Sequence, residues 1–346
     1  RLDKGRYVYV GFEPQLINIR ADINSILYVT DDPYFDPETA PKVLLRRDYN
    51  YSNLAAWTSF DGSVGDLTYT PGVRIFKTGI ELPSSFDPRL LARYKLGEKD
   101  TIKAAVGRYS IAPEPAESSN GTGKPDLSYE QALHYVLGLE SQWGERWLTD
   151  FQAFYKFTQH FVVSGGDQNY EGTGQRRTYG LEVFIRRNLT ERFFGWLAYT
   201  YSVSKERKTD QDRWFTSQYD QTHILNLVGS YRLTSLWDLG MRFKFNSGDP
   251  YTPVSGAFYN ANVDKYQPVY DPKNLNGSRE PNFHSLDIFA TYDALYDVYK
   301  LKYQFGVQYL ALGKRVNSVA YNYDYSKTED LANLPPIPYL QVTASF

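Results

Sequence analysis

The sequence has no cysteine, and this absence removes two structural classes at once. Without thiols, the 346-residue chain can form neither a disulfide framework nor a thiolate metal site. Net charge is also nearly absent, because 38 Lys and Arg almost balance 40 Asp and Glu. This balance excludes the basic surface of a nucleic-acid-binding protein, so we expect no nucleic-acid partner.

Long apolar runs are missing as well. No segment approaches the roughly 18 consecutive apolar residues that a membrane-spanning helix requires. If this chain crosses a membrane, it must therefore cross as a closed sheet, in which neighbouring strands satisfy each other's backbone hydrogen bonds. Neither a linker nor a change of composition divides the chain, so we expect residues 1–346 to form a single domain.

Aromatic residues, in contrast, are abundant. The chain has 31 Tyr, 20 Phe and 6 Trp, which together make up 16% of its residues. A soluble all-β protein rarely needs so many tyrosines, whereas a transmembrane barrel needs girdles of amphipathic rings at both lipid interfaces. The composition therefore favours a membrane barrel.

The last eight residues give the clearest local pattern. Apolar and polar side chains alternate strictly up to the final aromatic residue, as in a strand with one lipid-facing side. The apolar positions are Leu340, Val342, Ala344 and Phe346. We therefore predict an all-β fold, an antiparallel transmembrane β-barrel in the bacterial outer membrane, with outer-membrane lipid as a partner.

The same alternation recurs at 147–158, 179–186, 238–246 and 301–309. Each stretch has about the 9–11 residues that a strand needs to cross a bilayer. The pattern predicts that the apolar members face lipid and that the charged members line the lumen. The residues we predict to face lipid include Phe151, Tyr155, Phe243, Phe245, Phe305 and Val307.

Short and long connections alternate along the chain, which favours a barrel over a soluble β-sandwich. Short turns are predicted near 13–15, 61–66, 97–100, 144–146, 188–191, 234–236 and 293–299. Long loops are predicted near 30–42, 77–86, 110–128, 164–175, 205–219, 247–281 and 313–336. With the C-terminus in the periplasm, every long loop lies outside the cell. The count is about fifteen strands, and Arg1 would then begin at the extracellular end.

Several local motifs, taken in order, resemble the TonB-dependent outer-membrane receptors. The resemblance runs from about Phe60 to the end of the chain. The motifs are Phe86-Asp-Pro-Arg89, Lys124-Pro-Asp-Leu127 with Glu130 and His134-Tyr-Val-Leu-Gly-Leu-Glu140, Arg177-Thr-Tyr-Gly-Leu-Glu182, Asp220-Gln-Thr-His223, Ser247-Gly-Asp-Pro-Tyr-Thr252 and the terminal Phe346.

This resemblance implies a 22-stranded barrel with a plug in its lumen, of which about 14–15 strands are visible here. The remaining strands, the plug and the TonB-contacting segment would lie N-terminal to Arg1 or come from a partner chain. Alternatively, the first two predicted strands are one strand, and the chain is a small barrel complete on its own. The resemblance also implies that the barrel-assembly machinery recognises Phe346.

The implied function is energised uptake of a scarce solute such as a metal chelate, a vitamin or an oligomer. The alternative is a passive porin or a structural barrel within a larger envelope complex. We identify no catalytic, cofactor-binding or metal-binding motif. The four histidines lie apart in the sequence, and Asp31, Asp32 and Asp36 fit no calcium-loop spacing. We therefore expect a non-enzyme without a cofactor.

Two groups of residues are candidates for function. Charged residues predicted to face the lumen would contact the plug or a solute, or would only pair with one another across strands. They are Arg74, Arg93, Lys103, Glu140, Glu182, Arg186, Arg242, Lys244, Asp287 and Lys302. Aromatic residues of the long loops would bind a solute or protein, or would only pack the loops together. They are Tyr251, Phe258, Tyr259, Tyr266, Tyr270, Tyr321, Tyr323 and Tyr325.

Overall fold

A computed structural model describes residues 6–26, 42–79, 82–118, 124, 126–164, 170–209, 212–261, 264–310, 316–332 and 335–346 of the chain. Almost all of the regular structure is antiparallel β-strand, which confirms the predicted fold class. One short helix, α1, spans Pro115–Ser118. No helix within these described ranges is long and apolar enough to cross a bilayer.

The strands fall into two groups, long strands that build one sheet and short strands within the long loops. In chain order they are β1 Tyr7–Ile26, β2 Lys42–Val64, β3 Leu67–Thr78, β4 Ser85–Leu96, β5 Asp100–Ile111, β6 Glu130–Trp143, β7 Trp147–Ser164, β8 Tyr170–Arg187, β9 Phe193–Arg207, β10 Phe215–Thr216, β11 His223–Arg232, β12 Trp237–Asn246, β13 Pro250–Tyr251, β14 Val254–Asn260, β15 Lys265–Tyr270, β16 Ser278–Arg279, β17 Phe283–Leu295, β18 Lys300–Leu310, β19 Val316–Tyr321, β20 Thr328–Ala332 and β21 Ile337–Ser345.

The main sheet is an up-and-down meander. Its order is β1-β2-β3-β4-β5-β6-β7-β8-β9-β11-β12-β17-β18-β21, and β10 adds to β9. Strands β1 and β21 form its two edges, and they do not pair with each other among the described residues. The short pairs β13–β16, β14–β15 and β19–β20 form separate two-stranded sheets within the loops.

The start of the chain differs from the prediction. We expected a turn at 13–15, but β1 runs through these positions and pairs with β2 without a break in register, with Pro14 opposite Leu54. A proline is tolerated in an edge strand, because its missing N–H is not needed on the open side. The first two predicted strands are therefore one, and the sheet has fourteen long strands in its path.

This correction also reverses the predicted position of the first strand. With fourteen strands between them, Tyr7 and the C-terminal end of β21 lie at the same end of the sheet, the end of the short turns. The expectation that the chain begins at the extracellular end was therefore wrong. Counting one strand as two had shifted the parity.

The other short turns are confirmed. They connect β2–β3, β4–β5, β6–β7, β8–β9, β11–β12 and β17–β18. Gly65, Gly97 and Gly144 adopt positive φ values of 56°, 83° and 62° in three of them, a conformation that glycine adopts without strain. The long loop predicted at 164–175 is shorter than expected, because β8 already begins at Tyr170. The predicted loop at 30–42 lies mostly outside the described residues.

The two faces of the sheet have opposite polarity. The register places Leu340 opposite Phe305, and Phe305 opposite Ala290, so apolar side chains continue from strand to strand. The six residues predicted to face lipid all lie on this face. Large apolar side chains here are exposed, whereas Asp87, Ser285 and Asp287 on the other face are buried. This inverted pattern is typical of a barrel with lipid outside.

Candidate functional site

The polar face of the sheet, which lines the lumen in a barrel, is the first part of the candidate site. Cross-strand register places all of the predicted lumen-facing charges on this face. Arg93 lies opposite Lys103, Glu140 opposite Asp150, and Arg242 opposite Asp287. The structure therefore brings residues that are far apart in the sequence into two ionic networks, and it leaves a few charges alone.

The first network joins β4, β5, β6 and β7. Glu140 and Asp150 are like charges on opposed positions, an arrangement that repels unless cations neutralise it. Arg93 Nη2 donates to Glu140 Oε1 at 2.9 Å, and Lys103 Nζ lies 3.4 Å from Glu140 Oε2 and also pairs with Asp150. Two cations thus balance two carboxylates, and this part of the wall is internally neutral.

The second network lies around a β-bulge. The pairing of β17 with β18 shifts register between Leu286 and Ile288, and Tyr309 adopts a positive φ of 56°. The Tyr309 N–H donates to Asp287 Oδ1 at 2.9 Å, while Arg242 Nε and Nη2 donate to Asp287 Oδ2 at 2.9 and 2.5 Å. Asp287 therefore accepts the hydrogen bond of the Tyr309 N–H at the bulge, and Arg242 compensates the negative charge of Asp287.

Arg74 has a comparable structural partner. Its Nη1 lies 3.8 Å from Oδ2 of the buried Asp87, and the Ser110 hydroxyl donates to Asp87 Oδ1 at 2.6 Å. The guanidinium also lies over the ring of Phe76, 4.6 Å from its centroid. Sequence reasoning missed Asp87, although it stands inside the Phe86-Asp-Pro-Arg89 motif.

The remaining lumen-facing charges lack such partners. Glu182, Lys244 and Lys302 form no ion pair with any described residue. Nε of Arg186 is buried and has no hydrogen-bond partner in the described part of the chain. Lys244 lies near the long-loop end of β12, whereas Arg186 and Lys302 lie near the short turns. These four side chains can therefore bind groups that enter the lumen.

A cluster of tyrosines at the long-loop end forms the second part of the site. The ring of Tyr266 contacts those of Tyr259 and Tyr323 edge-on, with centroid distances of 5.3 and 5.6 Å. The Tyr323 hydroxyl donates to the Asp264 carbonyl oxygen at 3.0 Å, and the Tyr321 hydroxyl accepts from Val254 N at 3.3 Å. These contacts join the β14–β15 hairpin to the β19–β20 hairpin.

The cluster packs the loops and still presents rings to solvent. Burial raises the pKa of the Tyr251 and Tyr270 hydroxyls, and a neighbouring Tyr321 adds to both shifts. In contrast, Tyr323 is 65% exposed and Tyr259 is 49% exposed. The geometry is thus compatible with both loop packing and ligand binding, because Tyr251 and Tyr270 pack within the loops whereas Tyr259 and Tyr323 are exposed.

An ion pair between the buried Asp220 and Arg279 anchors this loop region to the sheet, and sequence reasoning did not identify it. Asp220 is only 2% exposed, and its Oδ1 accepts from Ser204 N at 2.6 Å. Arg279 pairs with Asp220 Oδ2 and donates through Nη1 to the Asp220 and Gly248 carbonyl oxygens at 2.9 and 3.1 Å. Asp220 is the first residue of the Asp220-Gln-Thr-His223 motif, and this motif was the sequence signal that pointed to Asp220.

The described residues contain no group of three or more side chains arranged to hold a metal ion. His223 instead lies 2.8 Å from the Tyr199 hydroxyl, and His160 Nδ1 lies 3.3 Å from the Gly172 carbonyl oxygen. The three aspartates at 31, 32 and 36 lie outside the described residues. The terminal Phe346 is 99% exposed at the short-turn end.

Comparison with known families gives one match. A family model described as "TonB dependent receptor-like, beta-barrel" matches residues 7–310. No curated protein matches the chain.

Solved structures give similar folds at low sequence identity. The FrpB iron transporter from Neisseria meningitidis is 15% identical, with a TM-score of 0.66 over 99% of this chain and 53% of its own. The ferric-catecholate import receptor Fiu from Escherichia coli K12 is 16% identical, with a TM-score of 0.65 over 98% and 52%. The pyoverdine receptor FpvA from Pseudomonas aeruginosa PAO1 is 14% identical, with a TM-score of 0.62 over 88% and 44%. The chain thus spans about half the length of these proteins.

Proposed function

Because this chain belongs to the family of TonB-dependent receptor-like β-barrels, we propose that it forms part of the wall of a receptor that imports a scarce solute with energy delivered through TonB. The family resides in the outer membrane, and the lipid-facing and lumen-facing sides of the sheet fit that location. A plug inside the lumen and the TonB contact are further elements of this proposal.

The inner face of the sheet is the observation that carries the proposal. Most of its charges neutralise one another, whereas Glu182, Lys244 and Lys302 project from the same wall without an ion pair among the described residues. Charges on a lumen wall either contact a plug or line the path of a solute. The unpaired side chains are therefore the contacts that we assign to the plug or to the transported solute.

A ferric chelate is the solute that we propose, ahead of a vitamin or an oligomer. The similar structures include an iron transporter and a ferric-catecholate import receptor, and this supports the assignment. The tyrosine cluster at the long-loop end of the sheet offers flat rings and hydroxyl groups, which suit large amphipathic ligands. Tyr259 and Tyr323 are the exposed members that we expect to touch the chelate first.

Uptake of radioactive iron tests the energised function. Cells that carry the natural protein should accumulate iron from a panel of ferric chelates, and a deletion strain should not accumulate it from at least one member of the panel. A protonophore that collapses the inner-membrane potential should abolish the difference between the two strains. Uptake that survives the protonophore would instead identify a passive porin, and the absence of any difference would favour a structural barrel.

Loop tyrosines provide a test of ligand contact. We expect Tyr323→Ala and Tyr259→Ala each to weaken binding of the transported chelate by about five- to thirtyfold, because each change removes about 1–2 kcal/mol of contact energy. Binding can be followed by quenching of the intrinsic fluorescence. Tyr296→Ala is the matched control, because Tyr296 is 53% exposed at the opposite end of the sheet. Equal effects of all three changes would contradict the proposed contact.

A further inference from the structure

A row of alternating glycines and aromatic residues crosses the polar face of the sheet. The register places Phe289 between Gly240 on one neighbouring strand and Gly306 on the other. Tyr339 lies opposite Gly306 on the next strand, so the row crosses β12, β17, β18 and β21 at one level. Phe289 and Gly306 lie near the middle of their strands. We call these four residues the glycine–aromatic row.

The two rings of the row lie over the glycines. A β-carbon on Gly240 would overlap the ring of Phe289, and one on Gly306 would lie 2.5 Å from Tyr339 Cε1. At both glycines the three nearest atoms belong to the opposite ring. The Tyr339 hydroxyl also accepts from Gln304 Nε2 at 2.9 Å, which holds this ring along the wall. The rings can adopt this position only because glycine has no side chain.

Burial agrees with rings that lie on the wall. Tyr339 is half-buried, whereas every other residue of β21 is exposed. Phe289 is also half-buried, whereas Phe305 on the lipid-facing side of β18 is 45% exposed. Side chains of a strand ordinarily stand roughly perpendicular to the sheet, so an upright ring would project much further into the lumen. The row therefore gives the inner wall a flat surface at this level.

The same arrangement recurs elsewhere on the polar face. Trp57 lies opposite Gly11, where a β-carbon would overlap the indole ring. Phe154 lies opposite Gly180, where a β-carbon would lie 2.9 Å from Phe154 Cζ. At Gly180 the Tyr201 carbonyl oxygen is closer still, so this glycine also serves backbone packing. Large rings of the inner wall are thus placed over glycines in three separate parts of the sheet.

We propose that Gly240 and Gly306 are positioning residues that hold Phe289 and Tyr339 flat and so keep the lumen clear at the level of the row. This inference rests on the proposed function, in which the lumen holds a plug and passes a solute. Gly240 does not have a positive φ, so its backbone accepts alanine. Because the ring ends a flexible side chain, alanine at this position would lift it off the wall and into the lumen.

Iron uptake through the natural protein tests the proposal, with the same panel of ferric chelates and rates normalised to the amount of folded barrel. We expect Gly240→Ala to lower uptake at least about fivefold, because overpacking weakens the fit of the lumen's contents by a factor of this order. Chelate binding to protonophore-treated cells should stay at the wild-type level, since the tyrosine cluster lies at the long-loop end.

A second substitution separates the ring from the backbone. Gly240→Ala/Phe289→Ala should restore most of the uptake, because the displaced ring is then absent. The matched control is Gly229→Ala on the lipid-facing side of β11, where the nearest atom to a β-carbon is Met241 Cγ at an ordinary 3.7 Å. This control should leave uptake unchanged. Normal uptake in Gly240→Ala, or failure of Phe289→Ala to restore it, would overturn the proposal.

Fluorine NMR follows the ring without reference to transport. The natural protein in detergent carries 4-fluorophenylalanine at position 289, and Gly240→Ala should shift its resonance, whereas Gly229→Ala should not. If wild-type cells import iron from no chelate of the panel, the proposed function has failed, and the resonance still decides whether Gly240 holds the ring. An unshifted resonance in Gly240→Ala would overturn the positioning role in either case.

Discussion

At the scale of single residues, neighbouring residues of one strand lie on opposite faces of the sheet, one facing lipid and one facing the lumen. Phe243 lies opposite Leu227 and Leu286 on the apolar face, whereas Lys244 lies opposite Asn226 and Ser285 on the polar face. We expect Phe243→Arg to destabilise the barrel folded in a bilayer by about 2–4 kcal/mol, because a charge would then face hydrocarbon. Lys244→Ala should change it by less than about 1 kcal/mol, since no ion pair is lost.

Equilibrium folding into lipid vesicles, followed by tryptophan fluorescence in a urea series, measures both changes. Phe151→Arg on β7 should repeat the larger penalty, because Phe151 is 46% exposed on the same face. Similar penalties for Phe243→Arg and Lys244→Ala would show that the two faces are assigned wrongly.

At the scale of elements, the terminal strand connects packing to assembly. β21 pairs with β18 from Lys300↔Ser345 to Gln308↔Ile337, and the ring of the following Phe346 lies 6.4 Å from that of Tyr299. We expect deletion of Phe346 to reduce the amount of folded, heat-modifiable barrel in the outer membrane several-fold, because the resemblance assigns it to recognition by the assembly machinery. Phe346→Tyr, which keeps a ring, is the control, and an unchanged yield of the deletion would refute this role.

At the scale of the whole molecule, the two unpaired edges of the described sheet bear on whether the barrel needs further strands. The outer edges of β1 and β21 have no strand partner among the described residues, and each unpaired backbone group in hydrocarbon costs several kcal/mol. In line with the 22 strands that the family resemblance implies, we propose that further strands lie between these edges in the membrane. The lack of native cysteine makes this proposal testable by disulfide cross-linking.

The substitution Val342→Cys can be combined with Val8→Cys, Val10→Cys or Phe12→Cys in β1. We expect no disulfide in any of these pairs, because a disulfide requires Cα atoms about 4.4–6.8 Å apart. The pair Tyr303→Cys/Val342→Cys is the positive control, because these residues face each other across β18 and β21. Efficient cross-linking between β1 and β21 would instead demonstrate a closed barrel of fourteen long strands.

The sequence by itself determined the fold class, the two faces and most turns. A period of two is a property of the strand, so Phe243 and Lys244 could be assigned to opposite faces without knowledge of any partner strand. Gly65, Gly97 and Gly144 lie in three of the predicted short turns, where the required backbone conformation is local. The turn at 13–15 failed for the complementary reason, since only the pairing of Pro14 with β2 shows that the strand continues.

Contacts between distant segments were decided only by the tertiary structure. The pairing of Asp220 with Arg279 spans 59 residues, and that of Arg242 with Asp287 spans 45, so no local pattern reveals either. Likewise, Arg177 and Arg207 meet at the Trp214 ring only because β8 pairs with β9 and Trp214 folds back on both strands. Alternation fixes which side of a strand a charge occupies, whereas register fixes which partner it meets.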